Sequence, residues 1–282
     1  MRLVRGLAVV AASLASASAA LAHVFWIQPA SFTPAVGEVV GVQLRVGDEL
    51  PGEVLPRDEQ RIVRFVALGP STPEASAIAG RQGRDPAGMV RFTVPGVHVL
   101  AYQSTPTPVT LAGDKFEGYL KEKGLEKISK MRAERGQSRA EAREIYSRSV
   151  KSIIAVGGQR GSGFDASAGL RFEVVPLSDP TALRAGETLR VRFVFEGKPL
   201  VGALVQARGA RHSGPVIEAR TNEQGEAALT LPEAGMWLVD AVEMVAAPAG
   251  SGAEWESVWA SLSFSTADAP KAATPTTKGL GR

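Results

Sequence analysis

The sequence predicts a mainly β protein: two tandem immunoglobulin-like β-sandwich modules with one helical insertion, following a signal peptide. Three observations predict it. Beyond residue 22, short runs rich in Val, Leu, Ile and Phe alternate with polar residues and are punctuated by many of the 30 Gly and 18 Pro, as strands joined by tight turns are. The turn and strand pattern of one half recurs in the other. The opening residues differ in composition from everything that follows.

Arg2 and Arg5 form a basic start, Gly6 to about Leu14 is apolar or small, and Ala20-Leu21-Ala22 is an A-x-A cleavage sequence. Residues 1–22 therefore read as a secretory signal peptide. A membrane span needs about 20 apolar residues; this run is shorter and no later one approaches it. The mature chain is expected to be periplasmic or secreted, with no transmembrane span. Earlier A-x-A sequences at Ala15-Ser16-Ala17 and Ala17-Ser18-Ala19 would leave a short tail before His23, but the strand-like His23-Val24-Phe25-Trp26-Ile27 directly after Ala22 favours the last site. Loss of Arg2 and Arg5 takes the formal charge from +3 to about +1. With no aromatic-basic platform either, nucleic acid is not expected as a partner. The chain has no Cys, which removes disulfide scaffolds, thiolate metal sites and a lipid anchor.

A first module is expected over residues 23–168. Its candidate strands are Val39–Val46, Arg61–Leu68, Met89–Val94 and Val97–Gln103. A helical insertion is predicted over about 114–155. Phe116, Tyr119 and Leu120, then Leu125, Ile128 and Met131, follow helical spacing, with Gly124 as a weak point. Ser138 and Glu141 read as a capping box opening a second helix through Ala142, Ile145, Tyr146, Val150 and Ile154. Gly157 to Gly163 is a glycine-rich linker without the features of a phosphate loop.

A second module is expected over 169–266, and its pattern repeats that of the first, read as two related modules or, alternatively, as shared β-turn grammar without common origin. Pro34-Ala35-Val36-Gly37-Glu38-Val39-Val40-Gly41-Val42-Gln43-Leu44 parallels Leu183-Arg184-Ala185-Gly186-Glu187-Thr188-Leu189-Arg190-Val191-Arg192-Phe193. Each is a Gly-Glu turn entering an alternating strand. Gly88 through Gly96 similarly parallels Gly225 through Pro232 and Gly235. Asn222-Glu223-Gln224-Gly225 is a turn signal, and Gly197-Lys198-Pro199 suits a sheet edge. The tail 267–282 has no periodicity and is expected to be disordered.

Chemistry rests on three histidines. Cleavage after Ala22 would give His23 a free α-amine beside its imidazole. An amine with a pKa of roughly 7.7 to 8 yields its proton to a metal near neutrality, so amine and ring can chelate one ion as in the histidine brace of copper proteins. His98, in the strand Val97–Gln103, is the candidate for a second imidazole ligand; a packed, hydrogen-bonded histidine is the plainer reading of that position. His212 lies in a polar stretch expected to be an exposed loop tip. Phe25 and Trp26 are expected to pack the first strand, and Trp237, Trp255 and Trp259 to fill the second sandwich. No nucleophile elbow is readable.

His23-Val24-Phe25-Trp26-Ile27-Gln28-Pro29, Leu44-Arg45-Val46-Gly47, Phe116-Glu117-Gly118-Tyr119-Leu120, Gly124-Leu125, Tyr146-Ser147-Arg148 and Trp255 through Leu262, in that order, resemble the DUF4198 family, linked to NikM-like components of nickel and cobalt uptake. The resemblance implies an exported β-sandwich protein that handles Ni or Co, with a membrane metal transporter as partner. It departs from the family at Glu243, where a histidine is common. The function expected is thus transition-metal binding, with His23 and His98 as ligands, and not catalysis. Copper is the alternative ion, since nitrogen ligands favour it, and would open a histidine-brace oxygenase reading. A metal-free structural or adhesion module is the third.

Overall fold

The computed structural model describes residues 23–70 and 75–267, so the segment 1–22 expected to be a signal peptide and the tail from residue 268 lie outside the described residues. The protein is mainly β, and among the described residues it has three sheets stacked in layers and two short helices.

Alternation builds the first small sheet. In β2 (Val39–Gly47), Val40, Val42, Leu44 and Val46 are buried while their neighbours are not. This strand pairs with β1 (Val24–Pro29) along one edge, and with β3 (Glu53–Leu55) and β6 (Gly88–Arg91) along the other. The second small sheet is built alike: β11 (Thr188–Phe195) pairs with β10 (Phe172–Pro176), β12 (Lys198–Pro199) and β15 (Glu226–Thr230).

Between them lies a nine-stranded sheet. Its order is β14 (Ile217–Arg220), β13 (Leu204–Gly209), β16 (Met236–Ala246), β17 (Trp255–Ser265), β9 (Ala142–Val156), β7 (Gly96–Ser104), β4 (Ile62–Leu68) and β5 (Ala75–Ala77), with β8 (Thr107–Leu111) also on β9. Every neighbouring pair is antiparallel except β9 and β17, which run parallel where the two halves meet. The β-rich halves therefore share one sheet. Period-two alternation sends Leu100 and Tyr102 of β7 and Val150, Ile154 and Val156 of β9 toward the first small sheet. Val97, Val99, Ala101 and Ile153 go to the second. Each fully buried side chain of this size stabilises the fold by about 1.5–3 kcal/mol. The first strand is also tied to the last, because the Ser261 and Ser263 hydroxyls donate to the Phe25 and Ile27 carbonyls at 2.7 and 2.6 Å.

The sequence repeat is a structural one. Both Gly-Glu turns put glycine at φ 87° and 86°, where a side chain would be strained. Gly37 N–H donates to Phe92 O at 2.6 Å, and Gly186 N–H to Leu231 O at 2.7 Å. The glutamate carboxylates close the turns, accepting from Ala35 N at 2.8 Å and Arg184 N at 2.9 Å. The pairings β1–β2–β3/β6 and β10–β11–β12/β15 correspond strand for strand, as do β4, β5, β7 and β9 with β13, β14, β16 and β17. A parallel seam with the small sheets on opposite faces is what a two-fold axis along the strands produces.

The helical insertion is half as long as the spacing predicts. Helices α1 (Gly113–Glu122) and α2 (Glu126–Glu134) form, with Gly124 at φ 65° turning between them. Their apolar faces cover Val242 and Met244 of β16 and Trp255 and Trp259 of β17, so these two tryptophans serve the helical layer and not the sandwich interior; only Trp237 lies in the core toward the second small sheet. The second predicted helix is strand β9. Ser138 and Glu141 lie in the turn before it. Ile145, Val150, Ile153, Ile154 and Val156 favour a strand, and from Ser147 onward every residue of β9 is buried. A central strand covered on both faces loses its alternation and can mimic helical spacing.

Candidate functional site

His98 sits in β7 opposite Ile154 of β9 and is buried. Its Nε2 lies 2.8 Å from the Val94 carbonyl, and the ring meets Phe92 edge-on at 5.0 Å. Burial holds its pKa below the usual imidazole value, opposed in part by the Val94 bond. This is a packed, hydrogen-bonded histidine under the β6–β7 turn, the plainer of the two readings of that position.

His23 stands at the other end of β1. β1 begins with Val24 opposite Gly47, and the next residue, Asp48, places Oδ2 3.1 Å from His23 Nε2. The end of β9 that carries His98's neighbours is bonded instead to the segment after β1, through Ala155 N to Phe32 O at 2.9 Å and Gly157 N to Pro34 O at 2.7 Å. At about 3.3 Å per residue, β1 separates the two histidines by on the order of 20 Å. The structure does not bring His23 and His98 together.

The His23–Asp48 pair is half-exposed, with side chains 33% and 49% accessible. Asp48, Glu49 and Leu50 form one wall of a cavity of about 340 Å³, and the segment around Arg208 to Gly214, with His212, forms the other. His212 is not a free loop tip. Its ring packs on Trp237 at 5.8 Å, with Nδ1 3.4 Å from a Glu233 carboxylate oxygen and Nε2 3.2 Å from Pro215 O. Among the described residues no three His, Asp or Glu side chains converge as a metal site.

Glu243 is buried and paired with Lys127 of α2, so at this position a carboxylate anchors the helical layer.

Residues 20–244, most of the chain, match the family described as "Domain of unknown function (DUF4198)". The chain belongs to the DUF4198 family. No match is found among curated proteins. Of solved structures, the D0-D1 domain of Intimin aligns with 86% of this DUF4198 chain and 97% of its own length, at 14% identity and a TM-score of 0.21. No helix among the described residues of the DUF4198 chain is long and apolar enough to cross a membrane.

Sequence reasoning missed Asp48 as the partner of His23. The pairing follows from the β1–β2 register, which puts the residue after Gly47 beside the residue before Val24. Nothing in the spacing of either residue alone marks it.

Proposed function

We propose that this DUF4198 protein is an exported transition-metal-binding protein that takes Ni(II) or Co(II) at its mature N-terminus and passes it to a membrane transporter. The observation that carries the reading is the His23–Asp48 contact at 3.1 Å. Metal-bound histidines almost always give their other ring N–H to a carboxylate or carbonyl, which fixes the tautomer and orients the ring. With Nε2 committed to Asp48, Nδ1 is the nitrogen left for the metal. Cleavage after Ala22 would add the α-amine of the same residue, so two donors come from His23 and Asp48 acts as the orienting carboxylate. His98 is outside this ligand set. Nitrogen donors rank Cu(II) above Ni(II) and Co(II), so copper in vitro is expected to bind tightest whatever the physiological ion.

The repeated turns and the matched strand pairings support a finer reading of the fold as two immunoglobulin-like modules fused at the β9–β17 seam.

The test is to express the precursor, establish the mature N-terminus by intact mass, and titrate the purified protein with Ni(II), Co(II) and Cu(II). One ion per chain is expected, abolished by His23→Ala, weakened about 10- to 100-fold by Asp48→Asn and unchanged by His98→Ala. A mature chain that starts elsewhere than His23, or binding indifferent to His23→Ala, overturns the proposal.

A further inference from the structure

The two halves differ most in chemistry at one place. In the register that aligns the Gly37 and Gly186 turns, Leu44 and Val46 of β2 correspond to Phe193 and Phe195 of β11, each strand pairing its fourth core position with a phenylalanine, Phe25 or Phe172. The ends of β9 and β17 are fixed equivalently, by Gly157 N to Pro34 O at 2.7 Å and Ala267 N to Leu183 O at 2.8 Å. Counting back from them sets Arg148 of β9 against Val258 of β17. In the second half Phe193 and Val258 lie in the continuous core, with Phe195 packed against it. In the first half the same positions carry smaller apolar residues and a cation.

The result is a cavity of about 300 Å³ between the first small sheet and the central sheet. Phe25, Leu44, Val46 and Leu55 give it apolar walls, and Tyr102 and Tyr146 line it from the central sheet. Arg148 lines it too, although the residue is only 5% exposed. Its guanidinium rests on the ring faces of Trp259 at 4.5 Å and Tyr146 at 5.0 Å, and its Nη1 is buried with no hydrogen-bond partner among the described residues. Ring faces stabilise a cation but accept no in-plane hydrogen bonds. Glu144, the nearest buried carboxylate of the same strand, is engaged by the hydroxyls of Ser257 and Tyr119. Asp58 and Arg61 also line the cavity and are 3.9 Å apart, so they offset one another. The net charge facing the cavity is that of Arg148.

A buried guanidinium with an N–H left without an acceptor, lining an apolar cavity, is a receptor for a planar anion. We propose that this cavity binds a small monocarboxylic acid with a compact apolar body, its carboxylate on Arg148 and its body against Phe25, Leu44, Val46 and Leu55. At about 30 Å³ per water-sized group the cavity holds on the order of ten heavy atoms, the size of hexanoate, benzoate or phenylacetate. Inorganic phosphate has no apolar body to lie against these walls. The site is independent of the metal proposal, since neither His23 nor Asp48 lines it.

The second half supplies the variants that test this. Hexanoate, benzoate and phenylacetate are titrated into the chelator-treated protein, followed by tryptophan fluorescence and by ligand NMR, with hexanol and inorganic phosphate as comparisons. Saturable binding of at least one acid is expected, and neither hexanol nor phosphate should match it. Val46→Phe, which copies Phe195 and fills the cavity while leaving Arg148 in place, should weaken that binding at least about tenfold. Arg148→Val, which copies Val258, should do the same while raising the denaturation midpoint, since it removes an unpaired buried cation. No saturable binding of any of the three acids up to about 10 mM, binding unaffected by both variants, or phosphate bound as tightly as the acids would each overturn the proposal. Loss of stability in Arg148→Val together with unchanged binding in Val46→Phe would show a merely structural arginine.

Discussion

Gly37 and Gly186 occupy the same place in the two halves, at φ 87° and 86° and donating to Phe92 and Leu231 at 2.6 and 2.7 Å. Agreement at this level shows that the two turns are built alike. It makes each half a reference for the other, so a buried residue can be judged against its counterpart rather than against an average protein. Arg148 against Val258, and Leu44 and Val46 against two phenylalanines, stand out only through that comparison.

The equivalence is measurable. A Cβ at either Gly37 or Gly186 would meet nothing within 4 Å, so replacement by alanine costs only the left-handed backbone strain, about 1 kcal/mol. Gly37→Ala and Gly186→Ala are expected to lower stability by equal amounts in urea denaturation, and asparagine at either site by less. Costs that differ severalfold would show that the two turns are held differently.

Much of this architecture was legible from local pattern. The strands β2 and β11 show as alternation because each has one apolar face to bury, β7 shows as a β-rich run although it is covered on both faces, and the repeat shows because each Gly-Glu turn needs a glycine. Strand β9 was not legible, since Ile145, Tyr146, Val150 and Ile154 fit a helix and the strand's burial on both faces comes from partners distant in sequence. The site divided in the same way. His23 is marked by its place beside the expected cleavage sequence, whereas its contact with Asp48 and its separation from His98 are products of register. Arg148 reads as one more charge in a basic segment until the sheets close over it.

Glu144 predicts a fall in stability toward alkaline pH. Burial raises its pKa to about 7, against the lowering pull of the Ser257 bond, Arg148 and Tyr119. A carboxyl whose pKa is higher folded than unfolded favours folding fully below the unfolded value, near 4.5, and loses that contribution as pH rises through about 7. A shift of this size corresponds to roughly 3 kcal/mol between pH 4 and pH 8. Glu144→Gln keeps an acceptor for Ser257 and Tyr119 and should flatten that limb. An unchanged slope in denaturation between pH 5 and pH 8 would exclude Glu144 as its source.

His98 acts in the opposite direction. Its pKa is lowered by burial, so its contribution is present above the unfolded imidazole value, near 6.5, and is lost as pH falls below it. His98→Gln should reduce the acid sensitivity without affecting metal titrations. NMR titration of the ring should give a pKa below that of a free imidazole.

The buried pair Lys151–Glu173 links β9 to β10 and supplies the last prediction. Lys151 is fully buried, with Nζ 3.5 Å from Glu173 and 3.0 Å from the Ala166 carbonyl. Glu173 also accepts from the Ser167 hydroxyl at 2.9 Å and the Ala168 amide at 2.6 Å. Burial lowers the lysine pKa and Glu173 opposes the shift, so the carboxylate is what keeps a cation tenable there. Glu173→Gln preserves the shape but strands the ammonium, and should cost about 3–5 kcal/mol. Lys151→Met with Glu173→Met removes both charges and should cost much less than Glu173→Gln, because replacing a buried pair by apolar groups is often close to neutral. Denaturation of Lys151→Met, Glu173→Met and their double variant gives the coupling directly, and a double variant as unstable as the sum of those two singles would mean that the pair carries no mutual stabilisation.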